Sequence, residues 1–335
     1  MRAAHVEQPG PPETIRVGDL PDPTPGPGQV RVRVRASSVN PIDVYHRGGL
    51  VKVVLPLPYI PGADFAGVVD SVGGGVRVKV GDAVWGSNQG LLGRQGTLAE
   101  LCVVDEHFAY PLPGGVAPEQ AAAAALVGIT AYLGLFWKAK LQPGEVVFVN
   151  GGTGGVGAMV VQQARAAGAE VIATAGSPEK CERLRALGAT AVNYKTDDLA
   201  AVVRAFTPGG RGVDVWFETQ PPTDLDRTVE LTAPNGRVVL MAGRNARPEF
   251  PNGAFYTKGL SAYGFAMFNA PPAVQADAAN NLGVWLATRQ VVPEIGATFS
   301  LEQAAAAHRL QEDNTLGKAG TLSGKIVVRV APEIS

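Results

Sequence analysis

Apolar and polar residues alternate in the first part of the chain. From residue 30 to residue 36, Val or Ala occupies every second position and Arg the positions between, which is the period of a half-buried β-strand. Shorter apolar runs follow at 67–72, 76–80, 83–85 and 98–104, separated by Gly, Pro or Asp. This spacing predicts a compact antiparallel roll of strands in the N-terminal part of the chain.

The pattern changes from Pro118 onwards. A long Ala-rich helix is predicted through about Lys138, after which short apolar strands alternate with helices. The predicted strands are 145–150, 170–174, 191–193, 213–219, 237–242 and 260–265. The predicted helices between them are 155–168, 178–187, 198–206 and 223–232. This alternation predicts an α/β domain with a doubly wound parallel sheet.

The last segment does not continue the alternation. After Pro271 a helix is predicted, then a capping-box spacing at 300–303 before a second helix, and a final strand at 325–330. We expect this tail to pack on the first domain, so that the parallel-sheet domain is an insertion. The predicted domains are 1–120 with 267–335, and 121–266.

Composition excludes several classes of protein. The 29 Lys and Arg residues balance 30 Asp and Glu residues without a basic run, so the charge pattern of a nucleic-acid-binding protein is missing. Cys102 and Cys181 are too few for a four-thiolate zinc site and fit a reducing compartment. The N-terminus has no apolar core of signal-peptide length, and the apolar stretch 121–129 is shorter than the roughly 20 residues of a membrane span. We expect a cytoplasmic protein that binds neither nucleic acid nor membrane.

A glycine-rich sequence lies between the predicted strand 145–150 and the predicted helix 155–168. It follows the G-x-G-x-x-G pattern with Gly152, Gly154, Gly155, Val156 and Gly157. Glycines let the backbone approach a pyrophosphate, and the free N–H groups at the start of the helix favour its charge. The context predicts a dinucleotide site, with a glycine-rich turn that binds nothing as the alternative.

The end of the next strand indicates which dinucleotide is bound. NAD-binding units carry an acid about 20 residues after the motif to hold the ribose hydroxyls, whereas residues 173–177 contain none. The candidate contacts at this position are Gly176, Ser177, Lys180 and Tyr194. A cation there favours the additional phosphate of NADPH, while ordinary surface roles for Lys180 and Tyr194 are the alternative.

Five stretches carry a family resemblance across nearly the whole chain: SVNPIDVY at 38–45, PGADFAG at 61–67, GITAY at 128–132, GGTGGVG at 151–157 and GK at 324–325. In these stretches the chain resembles the zinc-free quinone oxidoreductases, the zeta-crystallin-like branch of the medium-chain dehydrogenase/reductase superfamily. The resemblance implies a GroES-like β-rich catalytic domain, an inserted Rossmann domain and a nicotinamide bound in the cleft between them.

The resemblance also implies that no metal is bound. Zinc-dependent relatives carry Cys where this chain has Asn40, and Gly-His-Glu where it has residues 62–64. The cysteines of their structural zinc lobe are missing as well. The histidines are too far apart in the sequence for a local ligand pair: His5, His46, His107 and His308. Of these, His46 is placed to border the substrate entrance.

Without a metal, the implied active site polarises its acceptor through neutral hydrogen-bond donors. Asn40 and Tyr45 are the candidates, because the resemblance places their loop over the nicotinamide and because amide and phenol groups donate at neutral pH. A turn-forming Asn and a packed aromatic are the alternatives. Asp43 is expected to order the loop.

The resemblance implies further cofactor contacts, at Thr130, Gly243, Arg244, Phe265 and Lys325. Thr130 is expected near the nicotinamide or its ribose, with a hydroxyl bonded back to its own helical turn as the alternative. Phe265 is expected to act through its backbone.

The implied activity is NADPH-dependent reduction of a quinone or an α,β-unsaturated carbonyl. Reduction of an enoyl thioester is one alternative, and a structural protein that binds NADPH without turnover is another. The strand at 260–265 is expected at the edge of its sheet, where an apolar edge favours pairing into a homodimer.

Overall fold

The computed structural model describes residues 1–221, 223–241 and 243–330. It divides into two compact units. Unit 1 comprises Met1–Leu126 with Pro271–Ser335, and unit 2 comprises Val127–Ala270. The boundaries predicted at 120 and 266 fall a few residues before these divisions.

The secondary structure alternates as the sequence pattern predicts. The strands are β1 (Arg2–His5), β2 (Arg16–Asp19), β3 (Gln29–Val39), β4 (Asp64–Val72), β5 (Ala83–Gly86), β6 (Leu101–Asp105), β7 (Tyr110–Pro111), β8 (Val146–Asn150), β9 (Glu170–Ala175), β10 (Thr190–Asn193), β11 (Val213–Glu218), β12 (Thr232–Leu240), β13 (Ser261–Gly264), β14 (Ile295–Ser300) and β15 (Lys325–Arg329). The helices are α1 (Pro41–Arg47), α2 (Pro118–Tyr132), α3 (Gly155–Ala166), α4 (Pro178–Ala186), α5 (Leu199–Phe206), α6 (Leu225–Leu231), α7 (Asn252–Thr257), α8 (Pro272–Ala287) and α9 (Ala304–Thr315).

Unit 1 is built on one mixed sheet in the order β14-β15-β3-β4-β5-β7, with β6 also paired to β3. The alternation along β3 is confirmed: Val30, Val32 and Val34 are fully buried in the core, and Arg residues lie between them. The tail supplies β15, which pairs antiparallel with β3. One prediction is wrong, because residues 76–80 form no strand; three of these five positions are exposed, and Val80 among them is 62% exposed.

Unit 2 contains six parallel strands in the order β10-β9-β8-β11-β12-β13. The doubly wound sheet is therefore confirmed. The strand order reverses at β8, so the carboxyl ends of β8, β9 and β11 lie together at the switch point, where open α/β sheets bind ligands. Phe148 and Trp216 pack across this part of the sheet with ring centroids 4.0 Å apart.

The Ala-rich helix is longer than its most apolar stretch. After Tyr132, α2 continues as a π-helical segment, Leu133–Lys138, so the whole helix runs over Pro118–Lys138, and its most apolar 18-residue window has a mean hydropathy of 1.5. By length and composition it would cross a membrane, contrary to the expectation from residues 121–129. However, 72% of its apolar window is buried within the structure, as in a core helix.

Candidate active site

The glycine-rich loop joins β8 to α3 with almost no room for side chains. Gly154 caps α3, and no side chain accepts hydrogen bonds from the first turn, which leaves those N–H groups for a ligand. A Cβ atom on Gly157 would lie 2.2 Å from the carbonyl oxygen of Gly151. Glycine is therefore required where the helix meets the loop, and the loop fits a pyrophosphate.

A network of largely buried polar side chains supports the glycine-rich loop through hydrogen bonds. Thr174 Oγ1 accepts a hydrogen bond from Gly151 N–H at 2.8 Å and donates one to Asn150 Oδ1 at 2.7 Å. Asn150 Nδ2 in turn donates to the carboxylate of Glu218 at 2.9 Å. Burial raises the pKa of Glu218, while Gln220 N–H, Trp216 and Asn150 favour its charged form.

Sequence reasoning did not single out these network residues. Asn150, Thr174 and Glu218 lie at or beside the carboxyl ends of β8, β9 and β11. Their signal was available, because a polar residue that ends an otherwise apolar strand needs a partner when it is buried.

The residues predicted beyond the second strand lie close to one another. Ser177 caps α4 by accepting a hydrogen bond from Lys180 N–H at 3.3 Å. A Cβ on Gly176 would lie 2.5 Å from the Tyr194 hydroxyl, so the tyrosine packs directly over the glycine. Lys180 is half-buried and forms no ion pair within the described part of the chain. The group thus offers a hydroxyl, a phenol and a cation, and it also contains the Glu179 carboxylate, whose pKa is lowered by a hydrogen bond from the Ser177 side chain.

The other predicted cofactor residues of unit 2 are dispersed over several elements. Thr130 is buried in α2, and its hydroxyl has no hydrogen bond to any described residue, so the back-bonded alternative is not found. Gly243 has a φ of 79°, which favours glycine. Arg244 borders a surface pocket together with Asn245, Ala246 and Arg247. Phe265 follows β13 and meets Trp137 edge to face at 6.2 Å.

In unit 1, buried charged side chains lie together at one end of three neighbouring strands. Lys325 begins β15, Asn40 follows the last residue of β3, and Asp64 begins β4, and these strands are adjacent in the sheet. Asn40 Nδ2 donates to Asp64 Oδ2 at 2.7 Å, and Lys325 Nζ donates to Asn40 Oδ1 and, at 3.0 Å, to Val39 O. Burial lowers the pKa of Lys325, and the nearby Asp64 opposes that effect.

Asp64 serves as a shared acceptor in this cluster. Its Oδ2 also accepts from Ser38 Oγ at 2.6 Å, and its Oδ1 accepts from the backbone N–H of Leu126 at 3.0 Å. Burial raises the pKa of Asp64, whereas Lys325 and the hydrogen-bond donors lower it. Burial is the largest of these effects, so the pKa of Asp64 lies above its usual value, although the donors and the ammonium favour the charged form.

Asp43 orders the loop, as the sequence indicated. Its Oδ2 accepts from Asn40 N–H at 2.8 Å, which fixes the first turn of α1. Its Oδ1 is buried and has no partner among the described residues. Burial, and then the neighbouring Asp64, raise the pKa of Asp43 to about 7.

This geometry engages two of the predicted site residues within unit 1. Asn40 has no exposed surface, and both ends of its carboxamide are bonded within unit 1, so it does not reach an acceptor directly in this conformation. Lys325 is 6% exposed, and its ammonium is held by Val39 and Asn40 rather than left for the cofactor.

Tyr45 and His46 lie on the second turn of α1. Tyr45 is half-buried, which leaves part of its side chain accessible. His46 is 5% exposed, and its Nδ1 lies 3.1 Å from the carbonyl oxygen of Gly90; since a carbonyl only accepts, Nδ1 carries the hydrogen. His46 thus packs α1 against the loop around Gly90 instead of bordering an entrance.

The residues do not fit a zinc ion. Asn40 and Ala63 replace the Cys and His that zinc-dependent relatives carry. Over 1–221, 223–241 and 243–330, no group of three or more His, Cys, Asp or Glu side chains is arranged to hold a metal.

Comparisons with known proteins agree with this architecture. A zinc-binding dehydrogenase family model matches residues 155–282, and an alcohol dehydrogenase GroES-like domain model matches residues 26–114. The fold and the site thus define a medium-chain dehydrogenase/reductase.

Individual relatives narrow the family further. The quinone oxidoreductase of Rattus norvegicus is 33% identical over 323 residues, covering 95% of this chain and 96% of its own. The structure of the Escherichia coli quinone oxidoreductase complexed with NADPH is 25% identical, with a TM-score of 0.83 over 98% of this chain and 100% of its own. A 2-haloacrylate reductase structure is 28% identical, with a TM-score of 0.85 over 99% and 100%. The chain belongs to the quinone oxidoreductase family, which confirms the resemblance noted in the sequence.

Proposed function

We propose that this protein is an NADPH-dependent, metal-independent reductase of quinones or α,β-unsaturated carbonyls. One observation carries the proposal: Ser177, Lys180 and Tyr194 lie together where an NAD-binding unit would carry an acid. The similarity to quinone oxidoreductases over 95% of the chain supports the same assignment. When bound, NADPH supplies the hydride for the reduction.

Unit 2 is proposed to hold the cofactor. The N–H groups at the start of α3 bind the pyrophosphate, and Gly152, Gly154, Gly155, Val156 and Gly157 admit it without side-chain obstruction. Gly176, Ser177, Lys180 and Tyr194 bind the adenosine ribose and its phosphate. Thr130, Gly243, Arg244 and Phe265 line the remainder of the cofactor site. The unbonded Thr130 hydroxyl is a donor for the nicotinamide or its ribose.

Unit 1 is proposed to bind the acceptor. The Tyr45 phenol donates a hydrogen bond to the acceptor carbonyl and stabilises the charge that develops there. Asn40, being buried, supports the start of α1. Because no residue of this set needs to ionise, the site polarises a carbonyl without a metal.

The acceptor class extends to conjugated alkenes. Similarity to a 2-haloacrylate reductase favours substrates in which a carbonyl or carboxyl group is conjugated to a double bond. A quinone carbonyl and a conjugated acid share the feature that matters here, an oxygen that gains negative charge as hydride arrives. This second candidate therefore uses the same site.

We further propose a cytoplasmic homodimer that needs neither membrane nor nucleic acid. Two-fold pairing of the β13 edge would satisfy its free backbone groups, and all four residues of β13 are at least partly accessible. Both cysteines are buried free thiols, in keeping with a reducing compartment.

The test is a steady-state and stopped-flow screen of cofactor oxidation against quinones, enones and enoyl thioesters. NADPH should be oxidised by at least one quinone or enone. If enoyl thioesters alone are reduced, the thioester alternative replaces this proposal. If NADPH binds and no acceptor is reduced, the protein is a cofactor-binding protein without turnover.

Cofactor preference is tested in the same assay with Lys180→Ala. Loss of one ion pair to the phosphate should weaken NADPH binding by roughly five- to a hundred-fold, that is, by about 1–3 kcal/mol. NADH binding should stay unchanged, and Lys79→Ala, an exposed lysine of unit 1, serves as the control. Equal binding of NADPH and NADH by the parent would contradict the assignment.

A further inference from the structure

In the buried cluster of unit 1, the hydrogen bonds run in one direction, from Lys325 to Asn40 and from Asn40 to Asp64. A carboxamide has two different ends, one that accepts hydrogen bonds and one that donates them. Lys325 only donates and Asp64 only accepts, and they contact opposite ends of Asn40. Turning the carboxamide over would place its NH₂ against the ammonium and its oxygen against the carboxylate. The two charges therefore fix one orientation of Asn40.

This orientation is transmitted to the backbone of α1. Asn40 is the N-cap of the helix, and its own N–H donates to Asp43 in the first turn at 2.8 Å. Lys325 also bonds the carbonyl oxygen of the preceding residue, Val39. The ammonium thus holds both the side chain and the backbone at the point where β3 turns into α1.

The other end of α1 is anchored independently. The Arg47 guanidinium is fully buried and donates to the carbonyl oxygen of Gly10 and to Glu312 on α9. With Arg47 fixed, the direction of the seven-residue helix depends on how its first turn is held. Tyr45 lies between the two anchors.

We propose that Lys325 is a positioning residue for the acceptor: through Asn40 and the start of α1, its buried ammonium sets the position of the Tyr45 phenol. This inference rests on the proposed function only in taking Tyr45 as the group that contacts the acceptor. It assigns Lys325 a role in the reaction that requires no contact with either cofactor or acceptor.

The test is a double-mutant cycle with Lys325→Met and Tyr45→Phe, assayed at saturating NADPH. Lys325→Met keeps the length of the side chain and removes the donor. Misplacing the phenol can cost no more than removing it, so kcat/KM for the acceptor should fall by up to about thirty-fold. In the Tyr45→Phe background the same substitution should have little further effect, because the phenol it positions is already missing.

Matched variants separate positioning from stability. Lys258 of unit 2 also bonds backbone carbonyl oxygens with its ammonium, those of Val229, Glu230 and Thr232. Lys258→Met should lower thermal stability and leave acceptor kinetics unchanged. Lys325→Arg, which keeps a cation, should recover part of the activity. If Lys325→Met does not fold, Asp64→Asn replaces it in the cycle, because it weakens the opposite end of the Asn40 carboxamide.

Two further measurements test whether Lys325 positions Tyr45. NADPH affinity, measured by fluorescence titration, should change by less than about two-fold, and a crystal structure of Lys325→Met should show Asn40 and Tyr45 displaced. Additive effects in the cycle, a large loss of NADPH affinity, or an unmoved Tyr45 would each overturn the proposal. The crystal structure tests it even if the parent reduces no acceptor, an outcome that defeats the proposed function instead.

Discussion

At the scale of single residues, Tyr45 is the side chain that the proposed function places in contact with the acceptor. It is half-buried, whereas Asp43 and His46 on the same helix are buried. Asn40, predicted as the second donor, is fully buried. It follows a central strand and bonds to the charged groups of Asp64 and Lys325. The spacing of residues in the sequence does not reveal these partners. The two residues therefore have different parts in the same site.

Tyr45→Phe removes one donor and little volume. A preorganised donor contributes about 2.7–4 kcal/mol when it acts on the transition state, and a partly accessible one less, about 1–2 kcal/mol. We expect kcat/KM to fall by roughly five- to thirty-fold with NADPH affinity unchanged. Steady-state kinetics with several quinones and enones measure this, and parent rates with every acceptor would remove Tyr45 from the site.

Asp43 gives unit 1 a pH dependence of its own. Burial and Asp64 raise its pKa from 3.8 to about 7, against the opposing charge of Lys325. Because folded Asp43 then binds more protons than unfolded Asp43 between these values, its contribution to stability is greatest below pH 3.8 and declines as the pH rises towards 7. Asp43→Asn keeps the acceptor for Asn40 N–H and removes the titration.

The comparison is made by urea denaturation at several pH values. The stability of the parent relative to Asp43→Asn should decrease from pH 5 to pH 8, with most of the change complete near pH 7. Parallel profiles for the two proteins would show that Asp43 does not titrate in this range.

At the scale of elements, the polar network at the carboxyl ends of β8, β9 and β11 determines where the glycine-rich loop lies. Thr174→Val leaves the N–H of Gly151 and the carboxamide of Asn150 without their shared hydroxyl. An unpaired buried polar group costs about 1–3 kcal/mol. We expect that loss of stability together with weaker NADPH binding, measured by chemical denaturation and by titration.

Thr174→Ser is the control, because it retains the hydroxyl. It should keep most of the NADPH affinity that Thr174→Val loses. A valine variant that binds NADPH as tightly as the parent would mean that the loop holds its position without the network.

Much of the fold was predictable at this scale, because the spacing of apolar residues identifies strands and helices and the Gly, Pro and capping residues identify their ends. The parallel strands of unit 2 and the Ser177 cap of α4 follow from local sequence. Residues 76–80 were misjudged because their apolar side chains remain partly accessible instead of joining a pleated face. The cluster of Asp64 and Lys325 was beyond prediction, since the pair is joined only when β15 docks beside β3.

At the scale of the whole molecule, the two edges of the unit 2 sheet allow a test of assembly. Ala262 on β13 is exposed, and a charge there would be buried in a two-fold pair at high cost. Ala262→Asp should convert a dimer to a monomer in sedimentation at micromolar concentration. Ala191→Asp, on the opposite edge strand β10, should not, and a monomeric parent would reject the dimer.

Metal independence is likewise tested on the intact protein. Asn40 and Ala63 offer neither thiolate nor imidazole, so dialysis against a chelator should leave turnover and stability unchanged. Elemental analysis and activity are measured on the same sample. Stoichiometric zinc, lost together with activity, would contradict the proposal.

The insertion of unit 2 dictates the order in which the molecule is completed during synthesis. Every strand of the parallel sheet lies between Val146 and Gly264, so that unit is whole long before translation ends. Lys325 follows Asn40 by 285 residues, and until it emerges from the ribosome the buried carboxylate of Asp64 has no counter-charge. A nascent chain thus completes the strands of unit 2 before the last strand of unit 1, and we expect loss of β15 to disrupt unit 1 while sparing unit 2.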